Sequence, residues 1–539
     1  MKTLFSIPGL LLSLCTVYVA RRLLELRKGK LPPGPRGLPI IGNLLQLKLD
    51  AWLPFTEWKH KYGPLVYISV GSQGILILNS HKAASDLLDQ RAHIYNNRPR
   101  FIVAGEYLTG GKFLGILQNN DLWRRMRRAG NEVLNKAMAP SFQPVQEREA
   151  LRLVWNMLQS TKPQEWDSEL KRSAQSLTLS VVYNLPTLES ANDPAIARIN
   201  EFVLRLTQAT FPGTYLVEYF PWLKYLPAFI SKWKSDAQMW FRRDTELFRG
   251  LYDGVRDRMI EDEDANSFTS HVIRGQERYE LSETEIAWLS ANMYSGGSDA
   301  SAITLEWFIL AMLAYPEVQQ KCQEELDSVV GRSRMPRFSD QEVLPYIRAT
   351  AREVMRWRTI APLGAPHQST EDDFYEGYYI PKNTIIMPNI WAMNRDKDIY
   401  GPDAEIFRPE RHLDPDGKLA PTPPDTKRKS RDNFFDILAN SWAFPLTEGN
   451  ISFGYGGRTC PGKHVANASV FINIATILWA GNIFPEKDME GVPVKPDLSD
   501  TATINNGIAV RPFSFKCLIT PRFPEVTEVL AQTKEVLGI

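Results

Sequence analysis

The chain has 539 residues, 43% hydrophobic and 23% charged, an ordinary globular balance that allows a sizeable core and argues against a disordered polymer. Its formal charge of +1 leaves no global field for nucleic acid or acidic partners, so electrostatic docking must rest on a local patch. Four cysteines, Cys15, Cys322, Cys460 and Cys517, lie far apart with no CxxC pair; this suggests neither a disulfide framework nor a zinc site and leaves room for one cysteine with its own chemistry.

Leu4 to Ala20 carries no charge and is long enough, as a helix, to span a bilayer core. Arg21, Arg22, Arg27, Lys28 and Lys30 follow, against a single Lys2 before it, which puts the body of the protein on the cytosolic side. A cleaved signal peptide fits less well, because Tyr18 occupies a place where cleavage after Ala20 needs a small residue. Residues 1–20 are therefore read as a single membrane anchor, 21–43 as a basic stop and proline-rich linker, and 44–539 as one globular domain. Leu31 to Pro39 is proline-rich; prolines fix φ and remove backbone donors, so the stretch is predicted to be stiff and extended.

Apolar β-formers on both sides of Gly71-Ser72-Gln73-Gly74 predict a hairpin over Leu65 to Leu78. From Ser85 to Val330 the pattern is mainly helical. Leu281 to Tyr315 contains no proline, Pro316 ends it, and apolar residues lie on nearly all its sides, so a long buried helix is predicted. Within it stands Gly296-Gly297-Ser298-Asp299-Ala300. Each glycine costs about 1 kcal/mol relative to alanine in a helix interior, which makes sense where a helix must open over a bound group. A second helix follows over Pro316 to Val330. Short strands and turns are expected from Pro362 to Asn394, then loops, a helix over Lys463 to Gly481 and a β-rich end. Asp414 to Asn450, with Pro421, Pro423, Pro424 and Lys427-Arg428-Lys429, reads as a surface meander. The fold class is mainly α with small β-sheets (α+β).

The most informative stretch is Phe453-Gly454-Tyr455-Gly456-Gly457-Arg458-Thr459-Cys460-Pro461-Gly462. Glycines let backbone approach a flat cofactor closely. A thiolate needs its charge stabilised, which backbone N–H groups and the start of the following helix can do. Thiolate ligation of a haem iron favours O–O cleavage, and Arg458 is placed to meet a haem propionate.

This loop resembles Phe-Gly-x-Gly-x-Arg-x-Cys-x-Gly of the cytochrome P-450 haem-thiolate monooxygenases at every defined position, and further landmarks follow in that family's order. The resemblance implies the cytochrome P-450 fold, with the long helix over the haem and Cys460 as the axial ligand of a haem b iron. Glu353-Val354-Met355-Arg356 resembles the family's Glu-x-x-Arg helix, where side chains three apart share a face; Arg411, within Phe407-Arg408-Pro409-Glu410-Arg411-His412, is implied to complete a structural cluster with that pair. Trp123 and Arg127 resemble the Trp-x-x-x-Arg helix that meets a propionate, and they fall on one helical face. His367 occupies a position where the family often places another propionate partner, while a lone histidine is also commonly structural. Phe453 joins the cofactor loop.

On the oxygen side the family pattern is small-Gly-x-acid-Thr. Asp299 matches the acid, but Ala300 occupies the threonine slot. Ser301 is the nearest hydroxyl, about 100° away on a regular helix, and a π-bulge could bring it round. The resemblance implies a monooxygenase of the microsomal type on the endoplasmic reticulum, fed by an NADPH-cytochrome reductase and acting on a hydrophobic small molecule. Its texture is that of fungal natural-product enzymes of secondary metabolism. Ala300 keeps a second class open: a reductase-independent haem-thiolate isomerase or dehydratase. Arg124, Arg125 and Arg128, with Lys463, are expected to face outward as the reductase patch. Substrate contacts map onto Phe101 to Asn120 (Phe101, Phe113, Leu114 and Ile116 prominent), Tyr294 to Ala300, Pro362 to Pro366 and Asn506 to Ala509, with Ile508 prominent in the last; Asn505 and Asn506 either orient a polar group or form a plain turn pair.

Overall fold

A computed structural model describes residues 28–538 except 161–164, 191–192, 212, 263–265, 421–450 and 508. The expected anchor at 1–20, Arg21, Arg22 and Arg27 of the basic stop, the run at 427–429 and Ile508 lie outside the described residues. The chain divides into two compact units.

The first unit comprises residues 1–99, 361–396 and 453–459. Helix α1 (Trp52–Tyr62) precedes the predicted hairpin, β1 (Leu65–Val70) and β2 (Gln73–Leu78), paired antiparallel from Leu65↔Leu78 to Val70↔Gln73. Val66, Ile68 and Ile77 bury against Phe55 of α1. This apolar face is what fixes the hairpin register, since a one-residue slip would turn it to solvent. Four short strands follow: β3 (His367–Gln368), β4 (Asp373–Tyr375), β5 (Tyr378–Ile380) and β6 (Ile385–Pro388). β6 runs parallel beside β2 and β3 antiparallel beside β6, giving the sheet order β1-β2-β6-β3, while β4 and β5 form a separate hairpin. The proline-rich stretch is extended and docked on this unit: the Pro33 carbonyl accepts from Tyr67 N–H at 2.9 Å and the Lys30 carbonyl from Tyr379 N–H at 2.8 Å. A Cβ at Gly34 would lie 2.0 Å from the Tyr67 carbonyl oxygen, so only glycine fits there.

The second unit comprises residues 100–360, 397–452 and 460–539. Its longer helices are α2 (Asp121–Val133), α3 (Gln143–Gln159), α4 (Trp166–Tyr183), α5 (Pro194–Thr210), α6 (Lys232–Glu261), α7 (Glu283–Gly297), α8 (Ala300–Ala314), α9 (Pro316–Val329), α10 (Pro345–Trp357), α11 (Lys463–Ala480) and α12 (Val526–Leu537). Strand β7 (Gly481–Pro485) pairs with β10 (Cys517–Pro521), and β8 (Thr503–Asn505) with β9 (Val510–Pro512). α12 was not foreseen in the β-rich tail; it buries only Val526 and Leu530, too sparse an apolar stripe to read from sequence.

The long central helix is in two pieces. α7 starts with a capping box, in which Ser282 and Glu285 satisfy each other's backbone N–H groups. It ends at Gly297, a turn covers Ser298 and Asp299, and α8 resumes at Ala300. Every residue from Ala302 to Met312 is buried, as all-round apolarity predicts. Among the described residues, Glu283–Ala314 alone is long and apolar enough to cross a membrane, and its burial inside the protein marks it as core.

Candidate active site

Three cysteines fall among the described residues, and they differ in reactivity. Cys322 is buried with its sulfur 3.3 Å from Thr350 Oγ1, and burial pushes its thiol far up. Burial likewise pushes Cys517 up to about 12. Both are inert core thiols. Cys460 is partly exposed. Burial raises its thiol too, but the Gly462 N–H, the Arg127 guanidinium and Lys463 all favour the anion. It stands in the turn before α11, whose N-cap is Gly462, so the helix start adds its positive end.

The loop before it has the predicted glycine geometry at two positions. Gly454 and Gly456 take φ of +82° and +57°. At Gly456 a Cβ would lie 2.2 Å from the Leu88 carbonyl oxygen, and at Gly457 one would lie 2.4 Å from Asn96 Nδ2. Their freedom therefore serves close packing of the loop on its own unit. Gly456 N–H donates to Asp89 at 2.6 Å, and Arg458, buried, donates from Nε to the Asn96 carbonyl at 2.8 Å. Phe453 closes the single turn Ile451–Phe453 just before the loop.

Trp123 and Arg127 sit on α2, where Asn120 caps the helix by accepting from Trp123 N–H at 2.9 Å. Trp123 is buried. Burial pulls the Arg127 pKa down to about 10, opposed by the Cys460 sulfur. On the same helix Arg124 and Arg128 are exposed, but Arg125 is half-buried. It donates to Asp121 at 2.9 Å and to the Glu280 carbonyl. Arg128 also donates to the Arg278 carbonyl, at 2.9 Å.

His367 is buried, and its Nδ1 lies 2.9 Å from the Tyr95 carbonyl. A carbonyl only accepts, so Nδ1 carries the proton. Burial, with Arg98 and Arg458 nearby, holds the ring well below the usual histidine range. In the neutral ring Nε2 is an acceptor, and a carboxylate contact there requires a second proton.

The cluster at Glu353 is fully formed within the second unit. Arg356 grips Glu353 with two bonds of 2.7 Å, Arg411 Nε donates to it at 3.0 Å, and Arg408 N–H does so at 2.9 Å. His412 Nε2, not anticipated from sequence, lies 2.9 Å from the other oxygen. Despite burial, these donors hold the Glu353 carboxyl down at about 2.

At the helix break, Asp299 is half exposed and its Oδ1 lies 3.5 Å from Arg511 Nη2. Ala300 begins regular helix, and its carbonyl accepts from Thr304 Oγ1 at 2.9 Å. The interruption is thus a turn at Ser298–Asp299 and not a π-bulge at Ser301, which follows in helical register. A Cβ at Gly297 would lie 3.0 Å from Thr178 of α4, whereas one at Gly296 meets nothing within 4 Å. One glycine serves helix packing; the other leaves open space beside the break.

Of the expected substrate contacts, Phe113 and Leu114 are buried in the apolar cluster with Phe202 and Trp288, and Phe101 and Ile116 pack against it. Asn505 accepts from Gly507 N–H at 2.8 Å, so it builds the β8–β9 turn. Two anchors escaped sequence reading. Asn292 of α7 accepts from Gly115 N–H at 3.0 Å, and Glu218 accepts from Ile102 and Val103 N–H at 2.9 and 2.8 Å. A lone polar residue in a helix or loop gives no pattern that reveals such a partner.

The donor set fits a haem held through sulfur. Cys460 has an N–H donor and two cations around it, as an anionic ligand requires, and the partly buried Arg127 guanidinium of the same unit suits a carboxylate. The comparisons with known proteins agree. The cytochrome P450 family model matches residues 32–497. A cytochrome P450 monooxygenase of Armillaria gallica is 46% identical over 521 residues, spanning 97% of this chain and 95% of that protein. Cytochrome P450 monooxygenase 58 of Postia placenta is 42% identical over 522 residues (97% and 94%), and cytochrome P450 monooxygenase iboC of Amanita muscaria is 41% identical over 533 (94% and 94%).

Proposed function

The chain belongs to the cytochrome P450 family and is an oxidoreductase of its monooxygenase class, and on that premise we propose that it inserts one oxygen atom from dioxygen into a hydrophobic small molecule, a secondary metabolite, using NADPH-derived electrons from a flavoprotein reductase. The observation that carries this reading is the electropositive setting of Cys460, the one described thiol that is not sealed in the core.

Cys460 would hold the iron of haem b and Trp123 and Arg127 would meet a propionate; Arg458, with Phe453 on the cofactor loop, would serve the same group, and His367 would meet a propionate only with its Nε2 protonated. When bound, the haem supplies oxygen activation through its thiolate-ligated iron. The chain's own residues do the rest. Asp299 holds and passes a proton at the helix break, with an ordered water or a substrate hydroxyl in place of the hydroxyl that Ala300 lacks, since Ser301 follows in helical register. The apolar stretches around Phe101 and Phe113 exclude water and orient the substrate. Residues 1–20 anchor the protein in the endoplasmic reticulum membrane with the catalytic domain in the cytosol. Exposed Leu216, Phe220, Trp222, Tyr225, Phe229 and Ile230 support contact of the second unit with a bilayer.

The competing reading, an isomerase or dehydratase that needs no reductase, is favoured by Ala300 alone. Product, dioxygen and NADPH consumption measured together separate the two. The proposal expects substrate-dependent uptake of both co-substrates. Turnover with neither one consumed would establish the isomerase.

A further inference from the structure

Asp299 and Glu306 are seven residues apart, two turns along the central helix, so they lie on one face about 10 Å apart along its axis. Only a long cation can serve both. Arg511 of β9 does so with a single nitrogen: Nη2 lies 3.2 Å from Glu306 and 3.5 Å from Asp299. The placement is built in by the neighbouring residues, because Trp307 Nε1 donates to the Val510 carbonyl at 3.1 Å and Val510 N–H donates to the Ile360 carbonyl at 2.8 Å. Arg511 is thereby pinned opposite Glu306, and its Nε is buried with no hydrogen-bond partner among the described residues.

Glu306 is buried and faces one more carboxyl, Asp167 of α4, which is coupled to it through a shared proton; Asp167 in turn pairs with Lys171 at 2.6 Å. Two carboxyls can bond only when one keeps a proton. Here burial raises Glu306 to about 8, while Asp167, despite burial, is lowered by Lys171, so the proton stays on Glu306. Asp167, Lys171, Arg511 and, through Arg511, Asp299 are the charged groups that face it.

We propose that Arg511 is a positioning residue for Asp299 and that the proton on Glu306 decides how far it serves that role. With Glu306 neutral and bonded to Asp167, the guanidinium is left to orient the Asp299 carboxylate at the helix break. With Glu306 ionised, the same nitrogen is drawn to the buried carboxylate and Asp299 loses its orienting cation. The assignment deepens the proposed monooxygenase reading, from which Asp299 takes its proton-handling role.

The competition is reciprocal, since any group that shares Arg511 must affect the other. In the holoenzyme, the C=O stretch of a protonated buried carboxyl, absent from Glu306→Gln, should titrate with a midpoint of about 8. Asp299→Asn leaves Arg511 wholly to Glu306 and should lower that midpoint, and Arg511→Gln should raise it. Asp299 is half exposed, and surface substitutions of this kind usually cost little stability. In turnover, wild-type coupling of NADPH to product should fall as pH rises through the midpoint, and Glu306→Gln should abolish that fall. Arg511→Gln should lower coupling below the midpoint to the level that wild type reaches above it, with partial rescue by lysine. A Glu306 midpoint unmoved by Asp299→Asn overturns the shared-cation assignment. Because the infrared titration does not depend on oxygen chemistry, that outcome is distinct from failure of the monooxygenase reading.

Discussion

At the scale of single residues, burial and partners decide what each ionisable group can do. Glu353 is the clearest case. Its carboxyl is held at about 2 against an ordinary 4.5, so the stabilisation it provides is present above pH 4.5 and is lost as pH falls towards 2. Removing the charge takes from buried Arg356 the carboxylate that it grips and leaves Arg411 only the longer pairing to Asp403 at 3.5 Å, and breaking such a cluster costs about 3–5 kcal/mol. Glu353→Gln should therefore lower the thermal midpoint sharply, and the gap to wild type should narrow on acidification. A constant gap across that range would contradict the assignment. Ala300 makes a second prediction. Ala300→Thr places a hydroxyl next to Asp299, at the first turn after the break, and should reduce peroxide leakage relative to product. Equal or greater leakage means that proton supply does not run past this position.

Elements in this chain are positioned by a few polar anchors that join distant segments. Glu218 satisfies two successive N–H groups at the start of the turn over Ile102–Leu108. Glu218→Ala leaves both unsatisfied, at about 1–3 kcal/mol each. Hydrogen exchange at 102–108 should speed up, and Glu218→Gln, which keeps one acceptor, should exchange at an intermediate rate. Slow exchange in the alanine variant would show that the turn stands without this anchor. Local chemistry made much of this scale legible in the sequence. The hairpin over Leu65–Leu78, the ends of α9 and α11, and the break beside Gly296 and Gly297 all follow from proline, glycine and apolar periodicity within a short window. The Glu353 cluster was legible as a pattern, yet His412 in it was not, since only the fold aims that ring at Glu353. Glu306, Arg511 and Asn292 were missed for the same reason. Each is an ordinary polar residue whose meaning comes from a partner between 177 and 212 residues away.

For the whole molecule, partner recognition must come from local surface, because the net charge is only +1. The basic face of α2 is narrower than its sequence implies. Arg125 is committed to Asp121 and the Glu280 carbonyl, whereas Arg124 is exposed, with a distant pairing to Asp121 at 3.6 Å. Arg124→Glu should slow electron transfer from the reductase, more so at low salt, with haem content unchanged; Arg125→Glu should also destabilise the fold. Equal reduction rates in wild type and Arg124→Glu would remove this face as the docking site. The account as a whole stands on sulfur ligation by Cys460, and the carbon monoxide difference spectrum of the reduced protein tests it most directly. Wild type should give the absorption band of a thiolate-ligated haem and Cys460→Ala should lose it; a variant that keeps that band, or a wild-type protein that binds no haem, contradicts the central claim.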